Sequence, residues 1–156
     1  MAKSFSVHAR VRARRTAVQA YYQWLINQQP IFEIITEFER DRVELKKADK
    51  GYFRELLLGI HEYSAELDSA LTPILDRHLE EISPVERAVL NIGMYELTHR
   101  PEIPWRVIIN ETVELAKMFG ADESHKYING VLDRAAQQIR SVKKVTQISS
   151  NKTKCP

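Results

Sequence analysis

The chain has 156 residues, 44% of them hydrophobic and 28% charged, with a formal net charge of +2. This length suits one domain, or two small helical lobes sharing a core, and a balance so near the globular average disfavours wholesale disorder. The longest apolar run, Leu56-Leu57-Leu58 with Gly59 and Ile60 behind it, falls far short of a membrane span, Phe5 and Val7 alternate with polar residues where a signal peptide would be apolar, and the only cysteine, Cys155, precludes an intrachain disulfide. The expectation is a cytoplasmic protein without a membrane partner.

Five glycines and six prolines punctuate the chain, and its apolar periodicity is helical throughout. The pattern predicts a first helix from about Val7 to Asn27, ended by Gln29-Pro30, and a second from about Ile31 to Arg42. A charged loop through Lys46, Lys47 and Asp49 leads to a third, from about Lys50 to Ala70. Thr72-Pro73 reads as an N-cap with a first-turn proline, opening a short helix. Ser83-Pro84-Val85-Glu86 is a capping box: the serine hydroxyl can accept from the Glu86 N–H while the glutamate reaches back to the cap N–H. The helix it opens, Pro84 to His99, is apolar around most of its circumference and therefore expected to be buried against several neighbours. On it, Glu96 and Arg87 suit paired structural contacts. Pro101 and Pro104 bracket a link to a helix from about Trp105, which buries Ile109, Val113 and Ala116 and stops at Gly120, expected in a left-handed cap. The last helix, about Ser124 to Arg140, carries Ile128, Val131, Leu132, Ala135 and Ile139 on one stripe. Residues 141–156 are polar and basic, and a flexible tail is expected there. The predicted fold class is all-α: about seven helices in a domain over 1–140, packed as subdomains at about 7–70 and 72–140.

Charge is segregated along this framework. Before the first acid, Glu33, the chain carries +5, after Asp133 it carries +6, and the middle carries −9. Basic ends seek polyanions, and an acidic middle can meet a basic protein. At 100° per residue, Val11, Val18, Tyr21 and Leu25 of the first helix share a core arc with Ala17 and Trp24, while Arg12, Arg15, Gln19, Gln23 and Asn27 lie opposite, with Tyr22 at the margin. Arg10 and Arg14 fall near the edge of the apolar arc. Guanidinium groups make strong, salt-sensitive contacts with phosphate, Gln19 can hydrogen-bond a base edge, and Tyr22 offers a ring for an unstacked base. The arginine run points to a polyanion, nucleic acid ahead of a solvated helix end and of an anionic membrane, and does not by itself separate RNA from DNA. Enzyme chemistry finds little support: His61-Glu62 lacks the second histidine of a zinc-protease helix, the other histidines form no ligand-spaced pair, and no glycine-rich phosphate loop occurs. Neither a metal nor a cofactor is expected.

Several motifs together carry a resemblance. Arg14-Arg15-Thr16-Ala17-Val18-Gln19-Ala20-Tyr21-Tyr22, Tyr52 to Gly59, Pro84 to Leu90, Tyr95-Glu96-Leu97, Ile109-Asn110-Glu111, Glu114 to Lys117, Phe119-Gly120-Ala121 and Ser124 to Asp133 resemble the NusB family, in order, over about Val7 to Arg140. The resemblance implies a transcription antitermination adaptor that binds the boxA element of nascent ribosomal RNA as a single strand, together with the ribosomal protein that acts as NusE, and joins the RNA polymerase elongation complex. It implies RNA contacts at Arg10, Arg12, Arg14, Arg15, Tyr22, Lys126 and Tyr127, to which the helix geometry adds Gln19. Glu80, Glu81, Glu86 and Trp105 are the implied contacts to the ribosomal protein, in keeping with the acidic middle, although Trp105 at a helix start suits packing equally. Some family members self-associate, so a homodimer stands as a further expectation. Two other readings remain: a protein-interaction scaffold whose arginines only solubilise it, and the related domain fused to ribosomal RNA cytosine methyltransferases, against which the lack of a methyltransferase segment after Arg140 counts.

Overall fold

The computed structural model describes residues 7–152, with side chains through residue 140. Among them are seven α-helices: α1 Val7–Asn27, α2 Ile31–Asp41, α3 Lys50–Glu62, α4 Ser64–Leu71, α5 Pro84–His99, α6 Trp105–Phe119 and α7 Ser124–Lys152. Short 3-10 turns at Val43–Lys47, Thr72–Ile74 and Leu79–Glu81 link them.

The centre of the molecule is α5, whose ten residues from Ala88 to Leu97 are all buried. A helix without a solvated face needs neighbours on every side. α5 packs against α1, α3, α4, α6 and α7. Ala13, Ala17 and Ala20 form the stripe that lets α1 approach closely, and Gly59 of α3 leaves room for the Tyr95 ring of α5, which a Cβ would strike. One continuous set of buried side chains runs from Ala13 to Ala136.

The start of α5 follows its sequence signal. Ser83 Oγ accepts from the Glu86 N–H at 3.2 Å, while the Glu86 carboxylate takes a hydrogen bond from the Ser83 hydroxyl at 2.9 Å rather than from the cap N–H. A second serine hydroxyl, of Ser124, donates to the same carboxylate at 3.1 Å. The opposite end of α5 is closed by α7: Arg140 Nε donates to the Leu97 carbonyl at 3.1 Å and another guanidinium nitrogen donates to that of Ile103 at 3.2 Å.

Four details depart from the sequence reading. The expected third helix breaks at Tyr63, whose ring stacks on His99 at 4.3 Å while α4 turns Leu67 and Leu71 inward. Thr72 opens only a 3-10 turn and caps nothing; its hydroxyl donates back to the Asp68 carbonyl. Gly120 is not left-handed, with φ −86°; the constraint there is space, since a Cβ would lie 2.7 Å from the Ala116 carbonyl oxygen and 2.9 Å from Ser124 Oγ. The backbone of α7 continues helical through Lys152 instead of ending near Arg140. No proline or glycine interrupts 141–152. Residues 153–156, the rest of the expected tail, lie outside the described residues.

Candidate nucleic-acid interface

The outward side of α1 forms one wall of a trough. Its first cavity, of about 680 Å³, is lined by Arg12, Arg15 and Gln19 from α1, by Val43, Glu44, Lys46 and Lys47 from the 3-10 turn, and by Met118 and Phe119 at the end of α6. Gln19 and Phe119 also line a second cavity of about 410 Å³, together with Tyr22, Ile26, Arg42 and Val85. Both volumes fall in the range of small-ligand sites. The trough exists because Asp49 fixes the 3-10 turn beside α1: its N–H donates to the Ala9 carbonyl at 3.0 Å, and its carboxylate caps α3 by accepting from the Tyr52 N–H at 3.0 Å. Four of the sequence-derived RNA residues, Arg12, Arg15, Gln19 and Tyr22, therefore share one surface, with Tyr22 40% exposed.

Arg14 does not belong to it. Its side chain is 5% exposed and grips Glu96 of α5, itself fully buried, with Nε 3.0 Å from one carboxylate oxygen and a second guanidinium nitrogen 3.0 Å from that same oxygen. The Tyr52 hydroxyl donates to Glu96 as well, and burial, reinforced by the Glu96 charge, raises the Tyr52 phenol far above its ordinary value. The surface role expected for Arg14 is overturned: one 100° step from Arg15 carries it past the edge of the apolar arc, where a carboxylate waits. Arg10 stands between these extremes. It lies 4.3 Å over the Tyr52 ring and 4.0 Å from the Asp49 carboxylate, half-exposed, and does not line the trough.

The remaining sequence-derived residues are dispersed. Lys126 is exposed and ion-paired with Glu123 at 2.5 Å; Tyr127 is half-buried beneath Arg77, 4.1 Å from its ring; neither lines the trough. Glu80 and Glu81 are exposed on the Leu79–Glu81 turn. Glu86 is half-buried and held by its two serines, and Trp105 packs partly into the core with Arg106 5.0 Å over its ring. Glu96 and Arg87 do make structural pairs, with Arg14 and with Asp68 at 3.0 Å respectively. Sequence reasoning missed the far wall: Lys46 and Lys47 were visible as a charged loop, but nothing local indicates that this loop faces α1, and Met118 and Phe119 read simply as a helix end.

Fold and trough together define a class, that of small all-helical proteins presenting a basic, aromatic-edged surface. Among the described residues no group of three or more potential ligands could hold a metal ion, and no helix is long and apolar enough to cross a membrane. The model of the NusB family matches residues 11–137, and the chain belongs to that family. It is 48% identical over 145 residues to the transcription antitermination protein NusB of Marinomonas sp. (strain MWYL1), covering 92% of this chain and 83% of that one. To the protein of the same name from Escherichia coli O139:H28 (strain E24377A / ETEC) it is 50% identical over 136 residues, covering 87% and 97%. Among solved structures, it is similar to the antitermination factor in a crystal structure of NusB and NusE in complex with dsRNA, with a TM-score of 0.76, 25% identity, and coverage of 85% of this chain and 99% of that one. It is also similar to T. maritima NusB, with a TM-score of 0.70 and 32% identity over 81% and 90% of the two chains.

Proposed function

We propose that this chain is a cytoplasmic, non-enzymatic transcription antitermination adaptor. It binds boxA-type single-stranded RNA of nascent ribosomal transcripts together with the ribosomal protein acting as NusE, and the pair joins the RNA polymerase elongation complex. Relatives about half identical to it bear the antitermination name, and a structural neighbour is a NusB–NusE complex with dsRNA. The observation that carries the reading is that Arg12, Arg15, Gln19 and Tyr22, half-buried or exposed, together line the trough along α1. Guanidiniums there neutralise phosphates, while Tyr22 and Gln19 offer an unstacked base a ring and an edge. Lys126 and Tyr127, at the start of α7, extend the RNA surface in this reading, and Glu80, Glu81, Glu86 and Trp105 meet the basic ribosomal protein. The subdomains at about 7–70 and 72–140 share α5 as their common wall.

The mechanism is tethering. Two modest contacts, one to RNA and one to protein, each raise the effective concentration for the other, so the ternary assembly is tighter than either pair. The test is a titration of a boxA-type single strand, and separately a duplex, across salt, with and without the ribosomal protein. Affinity should fall with salt, rise with the partner and favour the single strand; indifference to Arg12→Ala plus Arg15→Ala would remove the proposed site.

A further inference from the structure

The function proposed above draws on α1 and the start of α7 and leaves the trough's far wall without a task. We propose that the Val43–Lys47 turn is a second RNA-contacting bank, and that the strand passes between it and α1 with one unstacked base lodged over Met118 and Phe119. This rests on the RNA reading of α1 and extends it across the trough.

Charge is the first argument. Arg12 and Arg15 stand on one side, Lys46 and Lys47 on the other, and none of the four forms an ion pair with a described residue, whereas Arg14, Arg54, Arg87 and Arg100 all do. Glu44 is the single carboxylate lining this cavity. Cations gathered on facing walls repel one another, and a polyanion between them relieves that repulsion.

The floor supplies the second argument. Met118 at the end of α6 is 50% exposed and Val43 at the foot of the bank 73% exposed, and with Phe119 they line the same cavity as the four cations. Phosphates alone gain nothing from an apolar floor. A nucleotide does, because its base has a flat face for the methionine thioether and the phenylalanine ring while its phosphate stays at the rim. In a duplex the bases are stacked and paired and present no such face, so the occupant is a single strand. The trough then runs past Gln19 and Phe119 towards Tyr22, which places the next ring about one helical turn further along α1.

The experiment uses the full chain and a boxA-type single strand carrying 2-aminopurine at successive positions. Lys46→Gln plus Lys47→Gln should weaken binding on the order of fivefold at about 0.1 M salt and lower the salt slope by about 1.4, the loss of two phosphate contacts on a single strand. Met118→Ala should leave that slope unchanged and alter the fluorescence of one labelled position. Thermal melts monitor folding, which these exposed positions should not disturb. Wild-type affinity and slope in the lysine variant, with the Arg12→Ala plus Arg15→Ala variant still impaired, would overturn the second bank alone. A wild-type chain that binds no RNA would take down the reading of α1 and this inference with it.

Discussion

At the start of α1, Arg14 turns into the molecule against Glu96 and Tyr52, while Arg12 and Arg15, two residues back and one ahead, face the trough. The three side chains are chemically identical. A buried guanidinium is tolerated because a fully buried carboxylate and a phenol hydroxyl answer it, and that arrangement fixes the rotation of α1 about its axis. The rotation in turn decides which arginines reach solvent. One set of arginines thus shapes the protein and the other is left available for a ligand, and rotation of the helix through 100° per residue separates the two.

The largest expected effect attacks the inner arginine. Glu96→Ala strands Arg14 as a buried charge and should lower unfolding stability by about 3–5 kcal/mol, read from urea melts; replacing Arg14 and Glu96 together by apolar residues should recover most of that loss. A single variant that melts like wild type would erase the distinction between the two sets. The outer pair should behave oppositely. Arg12→Ala plus Arg15→Ala should change stability by no more than about 0.5 kcal/mol while lowering the salt slope of RNA binding by about 1.4, measured by anisotropy. Arg10 sharpens the boundary: losing its contact with the Tyr52 face should cost about 0.5–1 kcal/mol, less than the inner pair and more than the outer one.

One effect is silent at neutral pH. Burial pushes the Tyr21 and Tyr95 phenols up to about 12, and Tyr52 further in the same direction. The folded state holds these protons more tightly than the unfolded chain, whose phenols titrate near 10. The resulting stability is whole below pH about 10 and is lost as pH rises towards about 12. Urea midpoints at pH 9, 10 and 11 should fall in sequence, and Tyr52→Phe should flatten that decline.

Most of the helical plan was legible because its signals are local. Ser83, Pro84 and Glu86 announce α5, and its continuous apolar circumference announces its central position. What escaped the sequence depends on distant residues. Nothing near Arg14 discloses that Glu96, 82 positions away, lies beside it. The break at Tyr63 has no proline or glycine to mark it and follows from the ring's place on His99. For the candidate site, Arg12, Arg15, Gln19 and Tyr22 could be grouped from helical geometry alone, whereas Lys46, Lys47, Met118 and Phe119 join them only once three separate elements converge.

The carboxylate of Glu86 holds Ser83 with one oxygen and Ser124 with the other. Two helices that begin 40 positions apart in the chain are therefore moored to one short side chain, like two boats on a single post. A change confined to that residue, even the swap of an oxygen for an amide nitrogen, should be felt at both beginnings together, so that whatever loosens the front of α5 also unsettles the turn from which α7 departs.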